Sequence, residues 1–87
     1  MAKYKILIKA SAAKEIERLP SRKDRRRVVE RIRSLADDPR PRGCEKLSGQ
    51  ERYRLRQGNY RIIYSIEDDI LTVHVVKVGD RKDVYRY

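Results

Sequence analysis

Arginine carries most of the chemistry open to this chain. Arg52, Arg54 and Arg56 recur at alternate positions, Arg61 follows, and Arg81 stands further on in the C-terminal segment. A guanidinium presents several N–H donors in one plane and keeps its charge, so a group of them suits the oxygens of a phosphate. Any one of these arginines is also well explained as a solvated surface cation; the clustering is what favours phosphate. Other chemistries find few residues. Cys44 and His74 are the sole cysteine and histidine, too few soft ligands for a zinc site and too few thiols for an intramolecular disulfide. Cys44 reads as a small buried hydrophobe. The acidic runs Asp37-Asp38 and Glu67-Asp68-Asp69 fall in an expected loop and turn, away from the arginines, which disfavours a metal-dependent nuclease. Neither a metal nor a cofactor is expected.

The elements that must position these arginines can be read from the apolar periodicity. Tyr4, Ile6 and Ile8 alternate with lysines between Lys3 and Lys9, the pattern of a strand. Ser11 is placed to cap a short helix with apolar positions Ala12, Ile16 and Leu19, which Pro20 stops. Ser21 with Asp24 resembles a capping box for a longer helix whose apolar stripe is Val28, Val29, Ile32, Leu35 and Ala36. Its other side carries Arg22, Lys23, Arg26, Arg27, Arg31 and Arg33, so a helical hairpin with an outward basic surface is expected. Pro39 to Gly43 is a loop, Glu45 to Leu47 a short edge piece, and the segments 52–56, 60–66 and 70–78 form a meander. The fold class is α+β: an N-terminal strand, two helices, then antiparallel strands, with both helices packed on one face of the sheet.

Treating Gly58-Asn59 as a two-residue turn fixes a register in which Arg56 faces Arg61, Leu55 faces Ile62, Arg54 faces Ile63 and Tyr53 faces Tyr64. Treating Asp68-Asp69 the same way pairs Ile66 with Leu71, Tyr64 with Val73 and Ile62 with Val75. Directly opposed residues share a face. One face then holds Tyr53, Leu55, Ile62, Tyr64, Ile66, Leu71, Val73 and Val75, the expected core side. The other holds Arg52, Arg54, Arg56, Arg61, Ile63, Ser65, Thr72, His74 and Val76, expected to be open and basic. Arg56 opposite Arg61 is a like-charge pair that costs stability unless an anion lies between them. Gly79 permits a turn that would bring Arg81 and a tail tyrosine back beside this face; a frayed terminus is the other reading of that segment.

Composition points the same way. With 23 Lys and Arg against 13 Asp and Glu the net charge is +10, a field that attracts a polyanion, nucleic acid first. An 87-residue chain with 39% hydrophobic residues has room for one core, so residues 1–87 are read as a single domain. No apolar run approaches the ~18 residues of a membrane span, and the start lacks a signal core; a cytoplasmic protein without a membrane partner is expected.

With these residues in view, the sequence resembles the RelE family of toxins from type II toxin–antitoxin pairs, the mRNA-cleaving branch of the RelE/ParE superfamily. The likeness rests on Lys14 to Pro20, Asp38-Pro39-Arg40-Pro41, Glu45 to Gly49, the run Tyr53 to Tyr64, and the tail Val78 to Tyr85. It implies a ribosome-dependent endoribonuclease that cuts mRNA in the A site without a metal, through attack of the mRNA 2′-hydroxyl on the adjacent phosphate. It also implies a cognate RelB-like antitoxin, and the 70S ribosome with its mRNA and ribosomal RNA as partners. Matched residue by residue, the catalytic positions are Arg54, Arg56, Arg61, Arg81 and Tyr85, the tyrosine as general base. Arg52, Lys46, Arg26, Arg27 and Arg31 complete the expected RNA-binding set, the helical arginines gripping ribosomal RNA or simply forming a solubilising face. The chain differs from the best-understood enzymes of the family in carrying arginine for lysine at positions 54 and 56, and has Asp80 where many compact relatives have histidine. Two alternatives share the fold: a ParE-like inhibitor of DNA gyrase, and a non-catalytic RNA-binding relic.

Overall fold

The computed structural model describes residues 3–80. Strand β1 (Lys5–Ile8) leads into helices α1 (Ala10–Glu17) and α2 (Arg22–Ser34), followed by β2 (Glu45–Lys46), β3 (Tyr53–Gln57), β4 (Tyr60–Glu67) and β5 (Thr72–Asp80). The strands form one sheet in the order β1-β5-β4-β3-β2, with β1 parallel to β5 and the other pairs antiparallel. The expected α+β architecture is present, and the first strand closes the sheet by lying along the last.

Ser21 caps α2 as expected, its Oγ accepting the Asp24 N–H at 3.2 Å. Ser11 does not cap α1. The Lys9 N–H donates to the Val75 carbonyl at 2.9 Å while the Lys9 carbonyl already accepts from Ala13. The helix therefore starts directly off the sheet at Ala10, with Ser11 inside it.

The helices bury their stripes against a single sheet face. Ala12 and Ile16 of α1, Leu19 after it, and Val28, Ile32 and Leu35 share a core with Leu55, Ile62, Tyr64, Val73, Val75 and Val78. Cys44 packs partly buried at the margin of this core. The β3–β4 register is the expected one, from Gln57 opposite Tyr60 to Tyr53 opposite Tyr64.

The β4–β5 register differs. A 3₁₀ turn over Asp68–Ile70, closed by Leu71 in the left-handed region at φ 47°, replaces the expected two-residue turn. Ile66 consequently faces Val73 and Tyr64 faces Val75. This slip spans two residues, an even number, so each side chain keeps its predicted face. Leu71 itself leaves the core for the turn and is 38% exposed. A bulge between Ile63 and Tyr64 then inserts one residue into β5, so that Ile62 faces Val78 and Arg61 faces Gly79. An odd insertion moves the later residues by one position, which is how Val78 enters the core and Val76 loses a direct partner.

The loop after α2 is tied down by polar contacts. Arg40 grips both carboxylate oxygens of Asp68, at 3.2 and 2.9 Å, and its Nε donates to the Tyr53 hydroxyl at 3.3 Å. Tyr4 donates to Asp68 at 2.6 Å, and Tyr64 to the Pro39 carbonyl at 2.8 Å. Tyr53 and Tyr64 stack with centroids 5.7 Å apart. Hydrogen bonds from Arg40 and Tyr4 hold the Asp68 carboxyl down at about 2, and burial pushes the Tyr64 phenol up. The clasp fixes the loop end from which the chain passes through Gly43 into β2.

Candidate functional site

The three sheet arginines are placed by two strands of unequal surroundings. On β3, Arg54 and Arg56 alternate with core-facing Leu55; on β4, Arg61 stands opposite Arg56. Strand β2 covers β3 only at Tyr53 and Arg54, so among the described residues no strand lies beyond the half of β3 that carries Arg56. Arg56 is exposed. Arg61, on a strand paired on both sides, is only 2% exposed, and its Nη1 donates to the Tyr60 carbonyl at 3.3 Å.

The expected open face is thus partly closed. Ile63 is 1% exposed and Thr72 4%, on β4 and β5, which are each paired with a strand on both sides. Among the described residues, the accessible basic part of this face lies on its β3 side, at Arg56. His74 lies away from it, its Nε2 2.5 Å from Glu67 Oε1.

A cavity of about 340 Å³ opens at this edge, lined by Arg31, Gly43, Glu45, Leu55 and the three arginines 54, 56 and 61. Four guanidinium-bearing residues from α2, β3 and β4 therefore surround one space, with Glu45 as the single carboxylate residue named among its lining. Glu45 faces Arg54 across the β2–β3 ladder and forms an ion pair with it. The Arg54 hydrogen bond and charge, reinforced by Arg56 and Arg61, hold the Glu45 carboxyl below the usual carboxylate range. Such a space can bind a phosphodiester and stabilise extra negative charge on it, since Arg54 is held by Glu45 and Arg61 is already desolvated.

Of the sequence-derived site residues, Arg54, Arg56 and Arg61 come together as expected. Arg81 and Tyr85 lie outside the described residues. Arg31 was grouped with the outward helix face and instead joins the sheet arginines. Arg26 and Arg27 are exposed on α2. Arg52 is half-buried just before β3. Lys46 is opposite Tyr53, on the other side of β2 from Glu45, and pairs with Glu51 at 3.9 Å. Gly79, rather than Asp80, faces Arg61. Asp80 is opposite Tyr60, whose phenol is raised by burial and by the nearby charges of Asp24 and Asp80. Sequence reasoning missed Glu45 and the place of Arg31. The segment between β2 and β3 is not a two-residue turn, so its register could not be deduced, and the rotation of α2 over β3 depends on packing.

A sequence-family model described as the ParE toxin of type II toxin–antitoxin systems, parDE, matches residues 6–85. No protein with a curated description matches the sequence significantly. Among solved structures, the fold is similar to the RelBE2 toxin–antitoxin complex of Mycobacterium tuberculosis, with a TM-score of 0.80, 28% identity, and coverage of 93% of this chain and 94% of that one. It is also similar to the archaeal RelE–RelB complex of Pyrococcus horikoshii, with a TM-score of 0.80, 30% identity, and coverage of 91% and 96%. The isolated E. coli RelE toxin gives a TM-score of 0.76 at 26% identity, with coverage of 95% and 92%.

Proposed function

The chain belongs to the ParE toxin family of type II toxin–antitoxin systems, within the RelE/ParE superfamily, and on that premise we propose that it is a toxin that cleaves mRNA in the ribosomal A site. The observation that carries this reading is the convergence of Arg31, Arg54, Arg56 and Arg61 on one cavity. An inhibitor that acts only by docking on a protein has no need of a pre-formed phosphate clamp.

In this reaction the mRNA 2′-oxygen attacks the adjacent phosphorus, the bond from phosphorus to the 5′-oxygen breaks, and the products are a 2′,3′-cyclic phosphate and a 5′-hydroxyl. Tyr85 takes the 2′-hydroxyl proton as the general base. Arg61, Arg56 and Arg81 stabilise the charge that builds on the phosphorane oxygens. Arg54 holds the scissile phosphate by exchanging its Glu45 partner for it. The departing 5′-oxygen takes its proton from water, since a guanidinium does not release one. All 87 residues serve as one toxin unit without a cofactor. The partners are a RelB-like antitoxin, as in the similar complexes, and the ribosome, whose RNA phosphates suit the exposed basic face of α2.

The experiment is primer extension on a defined mRNA, free and on ribosomes with an empty A site. Cleavage is expected only on ribosomes, and Tyr85→Phe should lower its rate by about 10²- to 10⁴-fold. A mutant cleaving at the wild-type rate removes Tyr85 as the base. Absence of cleavage by wild type directs attention to gyrase supercoiling, the reading that the ParE description of the matching family favours, and to passive RNA binding.

A further inference from the structure

Beside the arginine cavity lies a second, shallower and more open depression, also about 340 Å³, lined by Arg27, Glu30, Arg31, Ser34 and Gln57. Arg31 lines both, so the two spaces meet at its side chain. The second cavity follows from helical and strand periodicity. Positions 27, 30, 31 and 34 fall on one strip of α2, beside the buried stripe of Val28, Ile32 and Leu35. Gln57 is next to Arg56 on β3 but points to the opposite face of the strand. The groove thus turns around the edge of β3 that no described strand covers, from Arg56 on one side to Gln57 on the other, and Arg31 spans the corner. Leu47 N–H donates to the Arg52 carbonyl at 2.8 Å, which sets the outward-directed backbone groups of β3 at Arg52, Arg54 and Arg56. Beyond the reach of β2, the Arg56 N–H and C=O therefore face this edge.

The linings differ in a way that suits adjacent parts of one ligand. The first cavity is dominated by guanidiniums. The second adds neutral and anionic groups: the Gln57 amide both donates and accepts, the Glu30 carboxylate accepts, and the Ser34 hydroxyl, which donates to the Arg31 carbonyl at 2.6 Å, keeps its oxygen as an acceptor. Among the described residues, Arg27, Arg31 and Arg56 form no ion pair within 4.0 Å.

We propose that the Arg27–Glu30–Ser34–Gln57 cavity is a second nucleotide subsite, which holds the RNA residue next to the scissile phosphate, with Arg31 gripping the phosphate between the two. Gln57 and Glu30 meet the base edge, and Arg27 meets the outer phosphate. This rests on the RNA-cleaving reading of the first cavity, and the test separates the two. Binding of uncleavable 2′-O-methyl mononucleotide 5′-phosphate and of the corresponding trinucleotide is measured by calorimetry on the full chain. Wild type should bind the trinucleotide at least about tenfold more tightly, the scale of one added charge-assisted contact. In Gln57→Ala and in Arg27→Ala that ratio should fall toward one. In Arg56→Ala both affinities should fall together with the ratio preserved. Lys14→Ala, which removes one positive charge from the exposed side of α1, controls for net charge and should keep the wild-type ratio. Arg27 is exposed on a helix, so its variant remains informative if Gln57→Ala fails to fold. A ratio unchanged in both variants overturns the subsite and leaves the first cavity standing. Failure of wild type to bind the trinucleotide more tightly than the mononucleotide, or to bind either, overturns the subsite, while the first reading is judged separately by cleavage on ribosomes.

Discussion

Arginine is used in two opposite ways in this molecule. At the loop that follows α2, Arg40 meets Asp68 through two hydrogen bonds, Tyr4 and Tyr53 complete the set, and the Arg40 guanidinium lies 5.4 Å from the Tyr53 ring centroid. One cation answers one anion. At the edge of β3, arginines 31, 54, 56 and 61 surround a space whose named lining has one carboxylate residue, Glu45. The clasp is electrostatically closed and holds chain to chain, whereas the groove's lining, among the described residues, carries more cationic than anionic side chains. Matched charge marks a structural contact here, and the mismatched charge of the groove is what the proposed phosphate site rests on.

The contrast can be broken most severely at Arg61. As a buried donor fixed before substrate arrives, it should contribute on the scale of a pre-organised oxyanion contact, so Arg61→Ala should lower cleavage on ribosomes by about 10²- to 10³-fold, measured in single-turnover primer extension. A change of under threefold would move the catalytic weight away from the cavity. On the clasp side, Tyr64→Phe keeps the ring stack and removes the hydroxyl that donates to Pro39. The expected loss is about 1 kcal/mol of unfolding free energy, read by urea denaturation, and unchanged stability would show that the loop is held without this bond.

Glu45→Gln removes the internal anion without changing its shape. Arg54 should then meet RNA phosphate with less competition, raising oligonucleotide affinity by roughly two- to fivefold, the modest scale of an exposed ion pair. Weaker binding would mean instead that Glu45 orients Arg54 for the substrate. The smallest effect belongs to acid. Asp68 is held at about 2, below an unfolded carboxylate near 3.9, so its contribution is fully present above the higher value and is lost as pH falls through the lower one. Thermal melts between pH 5 and pH 2 should show a steeper acid loss for wild type than for Asp68→Asn; parallel curves would exclude the clasp as the source.

Local rules made much of the fold legible. Ser21 at the start of α2, Pro20 after α1 and Gly58-Asn59 between β3 and β4 are signals carried by one or two residues, and each stands where it was expected. The two-residue turn also aligned Arg56 with Arg61, because a short hairpin leaves one register. The β4–β5 turn misled the register but not the faces, since the slip was even; the bulge, being odd, relocated Val78 into the core.

Sequence alone thus determined the element types, the core faces of β3 and β4, the basic charge and the pairing of Arg54, Arg56 and Arg61 on neighbouring strands. All of these follow from periodicity and short-range turn geometry. Tertiary structure decided the parallel docking of β1, the burial of Arg61, the insertion of Glu45 beside Arg54 and the turn of Arg31 toward the sheet. These depend on how far β2 extends along β3 and how α2 rotates over it, and packing across long loops sets both.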